Sequence, residues 1–125
     1  MSGLTLDAGG LIAIDRDDRR VVALLARAAE RALPITIPAT ALAQAIRNPA
    51  RQARLVRFIR QPNTRIAPLD GPDAAAVGLL LASSKTSDIA DAHVVVCARR
   101  ARQTIVTSDG QDIRRLAREL SILAV

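Results

Sequence analysis

TSDIADAHVVVCARRARQTIVTSD, residues 86–109, runs from an acidic pair through an apolar, helix-like stretch to the strand-like TIVTS and a third acid. Asp88 and Asp91 are three residues apart, a spacing that puts two carboxylates on one face of a helix. Asp109 stands where a strand hands over to a turn, a position from which polar side chains face a cleft. The segment predicts a helix over Asp88–Arg100, capped by Ser87, and a strand from Gln103 to Ser108. Asp7, at the end of the strand-like LTLD, completes a candidate metal-binding set with these acids.

Outward from this segment, short apolar runs alternate with helical patterns. Leu4–Leu6 is an apolar strand running into Asp7 and then Ala8-Gly9-Gly10, as in the first strand of an α/β sheet. The glycine pair lacks the spacing of a phosphate-binding loop and is expected to let the backbone turn closely beneath the site. A helix begins at Leu11 and is interrupted at Asp15–Asp18. Another spans Arg19–Leu33, with Val21, Leu24, Leu25 and Ala28 at helical spacing. Ile35–Ile37 is the second strand. Thr40–Arg47 is a helix with Thr40 as a possible cap, and Asn48-Pro49 is a start signal for a further helix to Ile59. Arg65–Leu69 is a strand, with Pro68 indicating an edge position. Asp70-Gly71-Pro72 opens a helix to Ala82, Gly110–Leu120 is the last helix, and Ile122–Val125 the last strand. Five short strands separated by helices imply a parallel sheet covered on both faces, an α/β fold. In such sheets functional groups gather beyond the carboxyl ends of the strands, near the point where strand order reverses.

A chain of 125 residues, 50% hydrophobic and 24% charged, is expected to form one domain over residues 1–125. No stretch approaches the length of an apolar membrane span, and the N-terminus has no signal-like core, so the expected location is the cytoplasm. The net charge is +6, and Lys85 is the only lysine among the cations. Arginine's planar fork suits phosphate, so the charge points to a polyanion, nucleic acid or an acidic protein; coding bias is the other source of such an excess. No acid interrupts the run from Arg47 to Arg65, which reads equally as a solvated helix face or as a phosphate-contacting stripe. Cys97, the single cysteine, excludes an intrachain disulfide and a thiolate cluster, and reads as a buried small hydrophobe. His93, the single histidine, reads as a satisfied buried or interfacial residue, and Asp112 as an acid favouring the first turn of a helix. Phe58 is the only aromatic residue, so there is no platform for base stacking.

Three or four aspartates converging without a paired cation repel one another, and a hard divalent cation such as Mg²⁺ relieves that repulsion through a few carboxylates and retained waters. In phosphodiester hydrolysis such an ion activates water and stabilises developing charge.

The pieces LTLDAGGLIAI, IPATALAQAIR, TSDIADAHVVVCA and IVTSDGQDIRRL, in this order and spacing, resemble PIN-domain proteins and, within them, the VapC-type ribonuclease toxins of toxin–antitoxin pairs. The resemblance covers nearly the whole chain. It implies a three-layer α/β/α domain with a five-stranded parallel sheet and Mg²⁺- or Mn²⁺-dependent endoribonuclease activity. Asp7, Asp91 and Asp109 match the family's metal-binding acids, with Asp88 as an additional acid and Ser108 or Thr107 holding a carboxylate or water. The family's second acid, typically a Glu in the helix after the second strand, is Gln44 here, a residue that can hydrogen-bond a water but brings no charge. Family analogy also implies a homodimer and a small cognate antitoxin, with Arg47, Arg51 and Arg54 offering a surface to RNA or to that partner.

Two other readings compete. A PIN-like scaffold that binds RNA or a partner without efficient cleavage is motivated by Gln44. A phosphoacceptor regulatory domain also places Asp at strand ends, but it needs an acidic pair after the first strand and a lysine near the last. Here Asp7 is followed by Ala8, and Lys85 is the only lysine.

Overall fold

The structure is a computed structural model and describes residues 2–125. In chain order the elements are β1 (Leu4–Leu6), α1 (Ala8–Asp15), α2 (Arg19–Glu30), β2 (Ile35–Pro38), α3 (Ala39–Ala45), a 3-10 turn at Pro49–Arg51, α4 (Ala53–Ile59), β3 (Thr64–Ala67), α5 (Gly71–Ser84), α6 (Ile89–Ala101), β4 (Thr104–Thr107), α7 (Gly110–Leu116) and β5 (Ile122–Ala124). All strand pairs are parallel and the order is β3-β2-β1-β4-β5. This is the expected α/β/α architecture.

Strand position follows composition. β1 and β2 are buried along their whole length and β4 along all but its first residue, as continuous apolar runs covered by helices on both faces should be. β3 has one buried residue and β5 none, and these two strands form the edges. Pro68 lies just beyond β3 rather than inside it, so the edge assignment holds while the strand is shorter than its apolar run. Strand order reverses between β1 and β4, whose register pairs Thr5 with Ile105 and Leu6 with Val106. Asp7 and Thr107 therefore emerge side by side.

The core is built on Leu4, Leu6, Leu11, Ile37, Leu55, Val95, Ile105, Val106 and Ile113, none of them measurably exposed. α6 runs through it and buries Ala90, Ala92, His93, Val94, Val95, Cys97 and Ala98. The alanines allow close approach to the helices and sheet around it, so α6 carries the residues at its N-terminus on a rigid support. No helix among the described residues is long and apolar enough to cross a membrane.

Several expected starts and stops shift. Gly9 and Gly10 lie inside α1, which begins at Ala8, so there is no turn between them. The close backbone approach is real: a Cβ at Gly9 would lie 2.9 Å from Ser108 Cβ, and one at Gly10 would lie 2.8 Å from the Val106 carbonyl oxygen. Asp88, not Ser87, caps α6. Thr40 sits inside α3, whose N-cap Pro38 makes no side-chain cap bond. Asn48 makes no cap bond either. Instead Gln52 organises that turn, its Oε1 accepting from the Arg47 and Asn48 amides and its Nε2 donating to the Ala45 carbonyl. The helix expected from Pro49 is thereby split into a 3-10 turn and α4, and α7 stops at Leu116 rather than Leu120.

Candidate metal centre

Three helix N-termini meet at the carboxyl end of the sheet, and each is capped by one of the aspartates singled out in the sequence. Asp7 caps α1, its Oδ1 accepting from the Gly10 amide at 2.8 Å. Asp88 caps α6, its Oδ1 accepting from the Asp91 amide at 2.9 Å. Asp109 caps α7, its Oδ1 accepting from the Asp112 amide at 3.4 Å. Such caps contribute about 1 kcal/mol each, and the partial positive charge of a helix N-terminus favours a carboxylate. These three acids thus have a structural task whatever else they do.

Asp91 has none. It lies in the first turn of α6, half-buried, and caps no helix. Among the described residues its carboxylate has no cationic partner within salt-bridge distance. Burial, then the charges of Asp88, Asp7, Asp112 and Asp109, push its pKa up to about 7. Those four neighbours show that the acids act on one another as a cluster. Burial also raises Asp7, against the lowering pull of its hydrogen bonds from Thr107 and Gly10. Asp112 is raised by its hydrogen bond and proximity to Asp109.

Thr107 joins two of the acids. Its hydroxyl donates to Asp7 Oδ2 and accepts from the Asp109 amide, the latter at 2.9 Å. Of the two expected supporting hydroxyls, Thr107 therefore holds the carboxylate; Ser108 is exposed and packs against Gly9.

Beside the cluster lies an open cleft of about 850 Å³ lined by Asp88, Asp91 and Asp112, by Thr40 and Gln44 from α3, and by Lys85 and Arg115. Asp7 and Asp109 are outside that lining but within electrostatic reach of Asp91. Gln44 faces the cleft from α3 without a charge. Arg47, Arg51 and Arg54 do not line it. The Arg47 guanidinium donates to the Ala43 and Ile46 carbonyls at the end of α3, and Arg54 reaches Asp17 and the Asp15 carbonyl. The cations that do reach the cleft, Lys85 and Arg115, were not singled out in the sequence. The signal for Arg115 was present: Asp109, Asp112 and Arg115 recur at helical spacing, and Arg115 lies 3.6 Å from Asp112.

His93 is completely buried, as expected, but only half satisfied. Nδ1 is 2.7 Å from the Thr40 hydroxyl, while Nε2 has no hydrogen-bond partner. Asp73, buried on α5, faces it and is held on both oxygens by Arg100. That guanidinium keeps the Asp73 carboxyl below the usual carboxylate range.

Carboxylates that converge with hard oxygen donors and no ammonium or guanidinium of their own suit Mg²⁺ or Mn²⁺. Asp7, Asp91 and Asp109 act on one another electrostatically, but among the described residues their ligand atoms do not all lie within 4.8 Å of one another, so an ion shared by them would have to draw them together, with Asp88 and Gln44 lining the adjacent cleft.

The sequence matches the PIN domain family model over residues 5–119. No curated protein matches the chain in sequence. Among solved structures it is similar to VapBC2 from Rickettsia felis bound to a DNA fragment from their promoter, with a TM-score of 0.73 and 16% identity over 97% of each chain. It is also similar to FitAcB from Neisseria gonorrhoeae, with a TM-score of 0.65 and 20% identity over 96% of each chain. A third similar structure is FitAB bound to an IR36 DNA fragment, with a TM-score of 0.66 and 19% identity over 97% of this chain and 94% of that one. These likenesses carry the fold, and with a family model matched along almost its whole length, the chain belongs to the PIN-domain family.

Proposed function

We propose that residues 1–125 form a single PIN domain that acts in the cytoplasm as a Mg²⁺- or Mn²⁺-dependent endoribonuclease, the toxin of a toxin–antitoxin pair. The observation that carries this is Asp91, a half-buried carboxylate with no capping role and no cationic partner, raised to about 7 by burial and then by the acids around it. A folded protein keeps such an unfavourable group where a ligand offsets the repulsion. In this reading Asp7, Asp91 and Asp109 are the catalytic, metal-binding acids. Asp88 and Gln44 hydrogen-bond water at the edge of the set, and Thr107 fixes Asp7.

When bound, the ion supplies a water of lowered pKa and positive charge beside the phosphodiester oxygens. The chain's own groups do the rest. Thr107 and the Gly10 amide hold the Asp7 carboxylate in one orientation, so the acid set is arranged before substrate arrives. Asp91, raised by burial and by its acidic neighbours while no ion is bound, would give up its proton on binding one, and its carboxylate would then help hold the ion. Lys85 and Arg115 at the cleft wall bind phosphates on either side of the bond to be broken. With no aromatic platform, RNA is held by phosphate and shape.

A small antitoxin is the proposed protein partner, with RNA or that antitoxin contacting Arg47, Arg51 and Arg54 away from the cleft. The similarity to VapBC2 and FitAB supports a two-component system. The exposed apolar side chain of Leu79 on α5, outside the cleft lining, supports a homodimer that would cover it. The alternative of a binding scaffold with weak cleavage is favoured by one observation, the uncharged Gln44 in the cleft.

The deciding experiment incubates purified protein with a broad RNA panel and Mn²⁺. The nuclease reading expects cleavage that chelator stops and that Asp91→Asn and Asp7→Asn abolish with the fold intact. Cleavage that survives Asp91→Asn sinks it. Salt-sensitive RNA binding without cleavage selects the scaffold.

A further inference from the structure

We propose that Asp73, His93 and Cys97 form a second cation site, of the zinc class, in the interior between α5 and α6. The chain has one histidine and one cysteine. They lie four residues apart on α6, and both face the same buried carboxylate. Asp73 is 3% exposed, His93 0% and Cys97 3%, and their ligand atoms all lie within 4.8 Å of one another. His93 Nε2 is 3.8 Å from Asp73 Oδ2 and has no hydrogen-bond partner. A buried ring nitrogen left unpaired is costly, and in the tautomer whose Nδ1 donates to Thr40 the Nε2 lone pair is open to a metal.

The donor set is one imidazole, one carboxylate and one thiol, whose pKa burial raises to about 11 and which becomes a thiolate only on binding the ion. Zinc takes these at about 2.0–2.3 Å and completes a tetrahedron with water. Ligand atoms around such an ion stand roughly 3.3–3.8 Å apart, so the trio needs only a small contraction. The chemistry differs from that of the acidic cleft, whose all-oxygen set suits a harder ion. Arg100 now occupies the cation's place. Its guanidinium holds Asp73, but its own side chain is 54% exposed, so it can swing into solvent and open the site. On coordination the Cys97 thiol gives up its proton to solvent and the guanidinium leaves the carboxylate.

Occupancy reaches the cleft through one hydrogen bond. With Nε2 coordinated, a neutral imidazole carries its proton on Nδ1, which then donates to the Thr40 hydroxyl 2.7 Å away. Thr40 lines the cleft, and its own O–H is freed to point into it. Loading the buried site thus turns a hydroxyl beside Gln44 toward donation.

The test uses the full-length chain stripped of metal and titrated with Co²⁺ in excess Mg²⁺, which occupies the acidic cleft. A thiolate-to-cobalt charge-transfer band can arise only at Cys97. The proposal expects this band to saturate at one equivalent, Zn²⁺ to displace it, and Cys97→Ala to lack it. Arg100→Met, which removes the competing cation, should bind about tenfold more tightly. Absence of the band from the wild-type chain, or a band that Zn²⁺ leaves unchanged, overturns the site. Equal affinity in Arg100→Met overturns the role given to Arg100. The wild-type readout does not depend on a variant folding. Because it is spectroscopic, failure here and failure of the nuclease reading are separate results.

Discussion

Asp91 separates structure from function at the scale of one residue. Its raised pKa has a thermodynamic sign that can be measured. In the unfolded chain an Asp titrates near 3.9, whereas in the folded protein Asp91 titrates at about 7. Between those values folding takes up a proton, so this contribution favours the folded state at the acid end and is lost as pH rises through about 7. His93 opposes it at lower pH. Burial depresses its pKa, so the unfolded chain gains a proton there that the folded one refuses. The total melting curve mixes both terms, but a variant isolates one. Metal-free Asp91→Asn should melt above wild type at about pH 8, keep about a third of that advantage at about pH 5 and lose the rest below about pH 4. Mg²⁺ should raise the wild-type midpoint at about pH 8 more than at about pH 5, because ion and proton compete for the same oxygens. Thermal melts in chelator and in Mg²⁺ measure both, and a constant difference between the two proteins across pH would contradict the assignment. Gln44 is the complementary case, a cleft residue with a charge missing. Gln44→Glu should tighten Mg²⁺ binding by about tenfold, the effect of a further carboxylate near a divalent ion, and raise the cleavage rate; calorimetric titration reads the first independently of the second.

The α1 element shows why a helix can depend on glycines that its own pattern does not ask for. Gly9 and Gly10 are in the first turn, where Asp7 already supplies the cap. They are needed because β4 and the turn carrying Asp109 press against them. A methyl group at position 9 would lie inside the surface of Ser108 Oγ, and at 3.1 Å from the Ser108 backbone nitrogen. The hydroxyl can rotate away; the backbone cannot. Gly9→Ala should therefore cost about 1–3 kcal/mol in denaturant unfolding, as overpacking does, and weaken Mg²⁺ binding by shifting Asp109. Gly78, mid-way along α5 with nothing near its missing Cβ, is the control: Gly78→Ala should stabilise by about 0.5–1 kcal/mol. The same contrast marks what could be read locally. Leu4–Leu6 and Ile35–Ile37 were legible as strands because burial on both faces leaves a continuous apolar run. The acids were legible because strand ends and helix starts put Asp7, Asp88, Asp91 and Asp109 together. The glycine packing was not, since its cause lies some hundred residues away in sequence. Nor was the choice between Ser87 and Asp88 as cap, as both can do it. The break in the helix that carries the arginines was not legible either. Gln52 ties off α3 and splits the expected helix into a 3-10 turn and α4, which leaves Arg47, Arg51 and Arg54 in separate segments, outside the lining of the cleft.

Over the whole molecule, a net charge of +6 surrounds a cleft whose acids carry the opposite sign. A polyanion drawn by the overall field would be repelled at the acids unless cations stand between, and Lys85 and Arg115 are the cations that line the cleft. Lys85 is held there by its backbone: it ends α5 in the left-handed conformation, at φ 54°, which turns the chain into the connection before α6. Each phosphate neutralised on a single strand contributes about −0.7 to the slope of log affinity against log salt. Binding of uncleaved RNA to Asp91→Asn in Mg²⁺ should therefore weaken steeply with salt. Lys85→Ala and Arg115→Ala, each in that background, should flatten the slope by about 0.7 apiece. Arg115→Ala also frees Asp112, 3.6 Å away, adding negative charge to the cleft, so it should lose more affinity at low salt than Lys85→Ala. Arg51→Ala separates cleft from periphery: exposed and outside the lining, it should leave the slope unchanged for an oligonucleotide short enough to occupy the cleft alone, and flatten it for a longer one. A slope for the short oligonucleotide that responds to Arg51 and ignores Lys85 and Arg115 would move the RNA path off the acidic cleft and onto the α4 face.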